Sequence, residues 1–325
     1  MDKIFLSCDW GTSSFRLRLI NSTTSEHIGE SYSDEGVAKV YDYWLQKKGA
    51  EKDRFTFYTT VLKKHISNIQ DQTKVALNGI PIIISGMASS TIGIMELPYK
   101  KLPVSTDISD LPVEKIERTK EFDHTVIIIA GLKTDTDIMR GEEVQLLGCS
   151  IEISEQQQVF IFPGTHSKHI VVENGQVSGF ETYMTGEFFY LLSEKSILSK
   201  SISAEGTLDE KLNQSAFEEG VSDSLHSNLL HQSFMIRTND LFQRLTKSQN
   251  YWYLSGLLVG TEINSLLQKS IKSITIVSDG EIARLYKIAF KRLDAGKIIK
   301  SINVNEALIK AHISLAEKFD CYKLS

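Results

Sequence analysis

The sequence predicts an α/β protein built from two domains of similar architecture. Each half of the 325-residue chain opens with three short strands, within residues 4–33 and 158–184. The first turn of each set is rich in Gly, Thr and Ser. Two apolar runs, IPIIISG and TVIIIAG, have too few polar breaks for a half-exposed strand and predict further strands that are covered on both faces. The pattern therefore indicates an internal duplication of architecture.

In the first half, alternating residues bounded by turn chemistry predict strands at 4–8, 15–21 and 27–33. Helical periodicity follows, most clearly over residues 54–69. The two apolar runs add buried strands at 80–86 and 125–131. The first half should therefore follow the order β-β-β-α-β-α-β.

The second half begins with strands at 158–164, 168–175 and 176–184, and the NG pair between the last two is a strong hairpin signal. Mostly helical sequence follows, and a buried strand at 273–279 precedes a helix at 280–293. A last amphipathic helix spans 303–319, with Asn303 or Asn305 as its cap. The domain boundary falls near residues 131–140, which gives domains of 1–133 and 134–325.

Composition describes an ordinary soluble globular protein. Hydrophobic residues make up 41%, charged residues 24%, and the net charge is −5. A negative chain without basic clusters gives no support for a nucleic-acid partner. The start MDKIFLSCDWG lacks the features of a signal peptide, and no segment has the roughly 20 apolar residues that cross a bilayer. We expect a cytoplasmic protein with no membrane partner.

The three cysteines are far apart in the sequence, with no CxxC or Cys/His spacing. Neither a disulfide framework nor a zinc site is indicated. Cys8 ends an apolar run, which predicts a small buried apolar side chain.

The turn after the first strand has the composition of a phosphate cradle. Gly11 lets the backbone approach an anion closely, and the hydroxyls of Thr12 and Ser13, with successive N–H groups, can surround phosphate oxygens. Asp9 would repel a phosphate unless Mg²⁺ lay between them, so it is the predicted metal ligand. The alternative is a simple hairpin turn in which Asp9 forms an Asx turn.

The turn that opens the second half repeats this composition. Gly164, Thr165 and Ser167 follow a strand, although the spacing of a Walker loop is absent. Lys168 adds a positive charge that either meets a phosphate or faces solvent. His166 lies in the same turn, but phosphoryl transfer does not require it. Two matching turns, one from each half, indicate a nucleotide bound between the halves.

The two turns resemble the phosphate 1 and phosphate 2 loops of the sugar kinase, heat-shock ATPase and actin superfamily. Within it, nearly the whole chain resembles the 2-dehydro-3-deoxygalactonokinase family. The segments that carry the resemblance are DWGTSSFRLRL, MRGEEVQLLG, LSGLLVGTEI and the long, most specific block FPGTHSKHIVVENGQVSGFETYMTGEFFYLLSEKSIL. The resemblance implies two ribonuclease H-like (actin-like ATPase) domains with an interdomain nucleotide cleft. It also implies an adenosine segment at 276–286, with Gly280 at the helix start.

The resemblance implies an enzyme that uses ATP and Mg²⁺ to phosphorylate the terminal hydroxyl of a 2-keto-3-deoxy sugar acid, with 2-dehydro-3-deoxy-D-galactonate as the expected substrate. The alternatives are another carbohydrate kinase, a non-catalytic sugar- or nucleotide-binding protein, and an actin-like filament subunit. The RGEE segment argues against the filament subunit, which needs no base. The sequence leaves the oligomeric state open, with a homodimer as one alternative.

Sugar kinases need a carboxylate that accepts the proton of the attacking hydroxyl. By its similarity to the segment before the phosphate 2 hairpin of glycerol kinases, Glu142 is the first candidate, Glu143 the second and Asp137 the third. Arg140 could clamp a substrate carboxylate or a phosphate, or hold the glutamates in place. The alternative is that these acids only favour a helix N-terminus through its dipole.

The sugar-acid pocket implied by the resemblance lies in residues 85–103. Its candidate substrate ligands are Ser85, Gly86, Met87 and Ser89. Many family members carry a tryptophan after the next glycine, where this chain has Ile94. That difference leaves the exact sugar acid open. Arg16 and Arg18 alternate with apolar residues and fit the polar face of a strand.

Overall fold

The structure is a computed structural model that describes residues 3–47, 54–226, 228–269, 271, 273–293 and 296–324. These residues fall into two compact units. The first comprises the described parts of Met1–Ile153, Gly175–Gly179 and Val304–Ser325, and the second those of Ser154–Asn174 and Phe180–Asn303.

The strands of the described chain are β1 (Lys3–Trp10), β2 (Phe15–Asn21), β3 (Glu26–Ser33), β4 (Ile82–Gly86), β5 (Lys100–Lys101), β6 (Val104–Ser105), β7 (Val113–Ile116), β8 (Val126–Ile129), β9 (Leu132–Lys133), β10 (Ile138–Met139), β11 (Gln158–Phe162), β12 (Ser167–Glu173), β13 (Gln176–Tyr183), β14 (Ser273–Val277), β15 (Ile298–Ile302) and β16 (Lys323–Leu324). The α-helices are α1 (Val37–Gln46), α2 (Arg54–Thr73), α3 (Glu142–Leu147), α4 (Thr185–Tyr190), α5 (Lys211–His226), α6 (Leu229–Leu241), α7 (Lys247–Leu267), α8 (Gly280–Arg292) and α9 (Val304–Lys318).

The sheet of the first unit has the order β3-β2-β1-β4-β8-β7. Strands β1 to β3 form an antiparallel meander, and β4 and β8 continue parallel to β1. The second unit repeats this plan with the order β15-β14-β11-β12-β13, in which β14 and β15 run parallel to β11. The predicted duplication of architecture is therefore confirmed.

The last helix belongs to the first unit, whereas the sequence predicted one boundary between residues 133 and 134. Helix α9 places Leu308 and Leu315 in an apolar cluster with Phe5 of β1 and Val144 of α3. Burying that apolar face stabilises the first unit, although α9 follows all of the second unit in sequence. The functional roles assigned to the two domains stay predictions.

The two faces of the first sheet are covered by different helices. Because side chains alternate along a strand, Leu6, Cys8 and Trp10 share one face of β1 and lie in the cluster that includes residues of α1 and α2. Cys8 is fully buried there, as predicted. Ser7 and Asp9 therefore lie on the opposite face, which α3 and α9 cover.

The helix predicted between residues 86 and 125 is wrong. The described chain has two short 3₁₀ turns there, Met87–Ser89 and Ile108–Asp110, and the short strands β5, β6 and β7. Pro98, Pro103 and Pro112 interrupt the segment. Since proline removes a backbone donor and clashes with the preceding helical turn, no long helix can form across them.

Candidate active site

The turn after β1 is fastened to the start of α1. The carbonyl oxygens of Gly11 and Thr12 accept hydrogen bonds from the backbone N–H groups of Val37 and Ala38, at 3.0 and 3.2 Å. The side chains of Thr12 and Ser13 are exposed. The turn is therefore held against α1 by its carbonyls while its hydroxyls face solvent, as the predicted phosphate-binding turn requires.

Asp9 lies near the end of β1, opposite Arg16 of β2 and Ser85 of β4. Burial raises the pKa of Asp9 above its usual value, and the positive charges of Arg18 and Arg16 oppose that rise. The arginines therefore favour the ionised carboxylate, the form that binds a cation.

Arg16 and Arg18 do more than form the polar, solvent-facing side of a strand. Both donate to the side-chain oxygen of Asn305 on α9, at 3.1 and 2.6 Å. Arg18 is only 5% exposed and also donates to Glu30 at 3.3 Å. The expected surface position is therefore wrong for Arg18, because α9 covers this end of the strand.

Gly141 brings the start of α3 against the end of β4. It precedes the helix with φ of +106°, a conformation that favours glycine. A Cβ on Gly141 would lie 3.4 Å from the Cα of Gly86, and one on Gly86 would lie 3.5 Å from a carboxylate oxygen of Asp9. The predicted residues Asp9, Ser85, Gly86 and the Gly141–Glu142 step thus meet at one end of the sheet.

The two glutamates of α3 have different environments. Both carboxylate oxygens of Glu143 accept the N–H of Gly141, at 2.9 and 2.8 Å, and the side chain is buried. Burial, followed by the charge of Glu142, raises the pKa of Glu143 to about 8. Glu142 is only half-buried. Glu142 is therefore the more accessible carboxylate, while Glu143 fixes the helix start.

The raised pKa of Glu143 predicts a pH-dependent stability. The folded protein should hold a proton on Glu143 between the ordinary value of 4.5 and about 8, whereas the unfolded chain releases it. Since the native state then binds more protons, the free energy of unfolding should fall by about 1.4 kcal/mol per pH unit across that window, relative to Glu143→Gln. Urea unfolding of both proteins at several pH values measures this difference. Equal slopes would contradict the assignment.

Arg140 is held by the sugar-acid segment itself. Its guanidinium donates to the Ser89 hydroxyl at 2.5 Å and to the Leu97 carbonyl at 2.9 Å, and it stacks 3.9 Å above the Tyr99 ring. Ser89 is fully buried, and Met87 is half-buried. Arg140 thus fixes residues 87–99 beside the start of α3.

Asp137, the third candidate base, lies in the turn between β9 and β10. Its carboxylate accepts the backbone N–H of Ile138 at 2.7 Å. The turn borders a cavity of about 560 Å³ whose wall includes Lys101 and Lys133. Asp137 therefore belongs to a hairpin turn and not to the start of α3, which carries the two glutamates.

In the second unit, Gly164, Thr165 and His166 form the exposed part of the predicted phosphate 2 turn. Lys168 is only 5% exposed, and its ammonium donates to the His166 carbonyl at 2.9 Å, so the expected solvent-facing alternative is wrong. The Ser167 hydroxyl is fully buried and donates to Glu262 at 2.8 Å. Ser167 thus attaches the turn to the buried Glu262 of α7.

The segment at the start of α4 supports the same turn. The N–H of Glu187 donates to the Thr165 carbonyl at 3.1 Å, and its carboxylate lies 2.5 Å from His166. A Cβ on Gly186 would lie 2.5 Å from the Gly164 oxygen, so only glycine permits this close approach. Gly186 and Glu187 belong to the longest segment that carries the family resemblance, but no role is predicted for them from the sequence.

Gly280 begins α8 in the same unit and is exposed, as its predicted place in an adenosine segment requires. Asn305 and Glu262 were missed as site-supporting residues by sequence reasoning. Glu262 belongs to the quoted LSGLLVGTEI segment, which was the available signal. Asn305 was considered only as a helix cap.

Asp9 suits a divalent cation that arrives with a nucleotide. In the part of the chain that the structure describes, no three His, Cys, Asp or Glu side chains are grouped as a metal site. Mg²⁺ usually needs only one or two protein carboxylates, because waters and nucleotide phosphates supply the other ligands. One carboxylate beside the exposed hydroxyls of Thr12 and Ser13 fits that requirement.

Among the helices of the described residues, none combines the length and the apolar character that a membrane-spanning helix needs.

Comparison with known proteins gives one consistent result. A family model described as 2-keto-3-deoxy-galactonokinase matches residues 9–311. A Rhizobium meliloti (strain 1021) protein named as a probable 2-dehydro-3-deoxygalactonokinase is 30% identical over 325 residues, covering 97% of this chain and 96% of its own. The 2-dehydro-3-deoxygalactonokinase of Escherichia coli (strain K12) is 29% identical over 220 residues, covering 66% of this chain and 71% of its own.

A crystal structure gives the same likeness in three dimensions. It shows a Sinorhizobium meliloti protein described as a candidate 2-dehydro-3-deoxygalactonokinase, with 26% identity and a TM-score of 0.77. The match covers 97% of this chain and 99% of that one. The predicted fold class, two ribonuclease H-like (actin-like ATPase) units, is confirmed.

Proposed function

Because this chain belongs to the 2-keto-3-deoxy-galactonokinase family, we propose that its Glu142 carboxylate accepts the proton of the substrate hydroxyl during phosphoryl transfer. The chain is a kinase that uses ATP to phosphorylate 2-dehydro-3-deoxygalactonate. That assignment favours the predicted kinase over two of the alternatives, a non-catalytic binding protein and a filament subunit. The observation that carries the proposal is the half-buried Glu142 at the start of α3, where Gly141 lies against Gly86 at the end of β4, which in turn lies beside Asp9 of β1.

In the proposed reaction, the oxygen of the terminal hydroxyl forms a bond to the γ-phosphorus of ATP. The bond from that phosphorus to the β,γ-bridging oxygen breaks, and ADP leaves with the electron pair. The hydroxyl proton moves to the Glu142 carboxylate. Glu143 does not share this role in our proposal, because both its oxygens are engaged by the N–H of Gly141.

We propose that Gly11, Thr12 and Ser13 bind phosphate oxygens of ATP in the first unit. Asp9 would hold Mg²⁺, which when bound neutralises phosphate charge as it builds up on the leaving oxygen. The exposed hydroxyls of the turn support the phosphate role, and the charges of Arg18 and Arg16, which favour the carboxylate form of Asp9, support the metal role.

In the second unit, Gly164 and Thr165 would bind phosphate oxygens from the other turn. Ser167 and Lys168 hold that turn in shape, since the hydroxyl and the ammonium of these residues bond to groups of the protein. Gly280 would adjoin the adenosine. A cytoplasmic location and a homodimer stay predictions from the sequence.

The sugar acid is proposed to bind at Ser85, Gly86 and Met87. Arg140 acts here by holding the segment rather than by clamping the substrate carboxylate, because two of its nitrogens already donate to Ser89 and Leu97. Ser89 is correspondingly a support for Arg140.

The experiment is a kinase assay with a panel of acceptors. We expect ADP release with ATP, Mg²⁺ and 2-dehydro-3-deoxy-D-galactonate, and much slower release with D-galactonate, which differs at carbons 2 and 3. A specificity ratio of at least about 10² in kcat/KM is expected, because a site built around one polar pattern leaves its groups unpaired with the wrong acid. Faster turnover of a different sugar or sugar acid would assign another carbohydrate-kinase specificity.

A further inference from the structure

A buried carboxylate in the second unit joins three elements around the phosphate 2 turn. Glu262 lies on α7 and is only 2% exposed. One of its oxygens lies 2.8 Å from the Ser167 hydroxyl and 2.8 Å from Nε2 of His169. The other accepts the hydroxyl of Tyr286 at 2.7 Å and that of Thr185.

Each partner marks a part of the proposed nucleotide site. Ser167 and His169 start β12 directly after the turn, and Thr185 starts α4. Tyr286 lies on α8, the helix that begins at Gly280. A single carboxylate thus connects the turn, its supporting segment and the proposed adenosine helix.

The charge state of Glu262 determines which group donates and which accepts in these hydrogen bonds. Burial opposes ionisation, but hydrogen bonds from His169, Thr185 and Tyr286 outweigh it and hold the pKa of Glu262 below its usual value. An ionised carboxylate can only accept, so every partner must donate toward it. Such charge-assisted bonds are the stronger kind, and inside a protein they fix the orientation of the donors.

The two residues that follow Thr185 contact the exposed part of the phosphate 2 turn. Gly186 lies directly against the Gly164 carbonyl, and Glu187 donates to the Thr165 carbonyl. If Thr185 shifts, the backbone of Gly164 and Thr165 must shift with it.

We propose that Glu262 is a positioning residue that fixes the phosphate 2 turn in the shape that binds ATP. The inference rests on the proposed nucleotide role of Gly164 and Thr165. It goes beyond that role by assigning the geometry of the turn to a buried side chain that touches no substrate.

The test is Glu262→Gln, which keeps the size of the side chain but replaces one accepting oxygen with a donating NH₂ group. At least one of the four partners must then turn away or lose its bond. We expect KM for ATP to rise by about tenfold or more, with KM for the sugar acid within about twofold. Tyr286→Phe removes one donor only and should raise KM for ATP by a smaller factor.

Asn250→Ala is the matched control for a general loss of stability. Asn250 is fully buried on the same helix, but it donates to the carbonyls of Ser201 and Ile236, away from the turn. It should lower the melting temperature without changing KM for ATP. If Glu262→Gln raised both KM values equally, or if Asn250→Ala raised KM for ATP as much, the positioning role would be overturned.

Gly164→Val tests the premise separately. A Cβ at Gly164 would meet no protein atom within 4 Å, so the protein itself should tolerate the side chain while a bound phosphate would not. A raised KM for ATP in Gly164→Val alone would overturn only the role of Glu262. No change in either variant would overturn the nucleotide assignment of the turn as well. If Glu262→Gln does not fold, Ser167→Ala and Tyr286→Phe carry the same comparison, and normal KM for ATP in both would overturn the proposal.

Discussion

Glu142→Gln is expected to lower kcat by about 10²- to 10⁴-fold while KM for the sugar acid stays within a few-fold. The amide keeps the shape and the hydrogen-bonding capacity of the carboxylate, but it cannot accept the hydroxyl proton. The loss should therefore appear in the chemical step and not in binding. Steady-state kinetics with both substrates varied, together with the melting temperature as a check on folding, measure the effect.

Two further variants make this result specific. Glu143→Gln should be milder, because the Glu143 side chain is buried against the N–H of Gly141 and its raised pKa keeps it largely neutral at pH 7. Glu114→Gln, at an exposed position on β7, controls for the loss of one negative charge in the same unit. Near-normal turnover of Glu142→Gln, with activity lost in Glu143→Gln or Asp137→Asn, would show that another acid is the base.

Asp9→Asn is expected to lower kcat/KM for ATP by about 10²- to 10³-fold at moderate Mg²⁺ and to shift the Mg²⁺ dependence of the rate to higher concentrations. The amide loses the negative charge that would face the cation, while the backbone of β1 is unchanged. Binding of the sugar acid should change little. Initial rates across a Mg²⁺ titration, and calorimetric binding of ADP with and without Mg²⁺, measure both effects.

Ser7→Ala is the matched control for Asp9. Ser7 lies on the same face of β1, two residues earlier, and its buried hydroxyl bonds to His312 of α9 at 2.8 Å. Its loss should lower stability and leave the Mg²⁺ dependence unchanged. If Asp9→Asn and the wild type showed the same Mg²⁺ dependence, Asp9 would have no role at the metal.

Much of the fold could be predicted from the sequence because its signals are local. The strands of both meanders and the buried runs at β4, β8, β11 and β14 lie close to the predicted ranges, since alternation and apolar runs follow from the side chains of each segment. The helix predicted between β4 and β8 is wrong because the three prolines of that segment, whose effect is also local, exclude a long helix.

The residues of the candidate site fall into two groups, those that local motifs identify and those that only tertiary contacts identify. Asp9, Gly11, Gly141, Glu142 and Gly164 could be named from motifs, because each lies at a strand end or helix start that the sequence marks. The supporting residues could not. Asn305 reaches Arg16 and Arg18 from the end of the chain, and Glu262 reaches Ser167 from a distant helix.

The sequence by itself determined the duplicated α/β plan, the family and the two glycine-rich turns, because periodicity and motif spacing are properties of neighbouring residues. Only the tertiary structure decided that α9 completes the first unit, that Glu143 is buried while Glu142 is half-buried, and that Lys168 and Ser167 support the second turn through bonds to groups of the protein. These outcomes depend on which distant segments exclude water from a side chain. Burial and hydrogen-bond partners are set by the packing of the whole unit, and they decide which of several similar acids or hydroxyls is fully buried in a supporting contact and which is only half-buried.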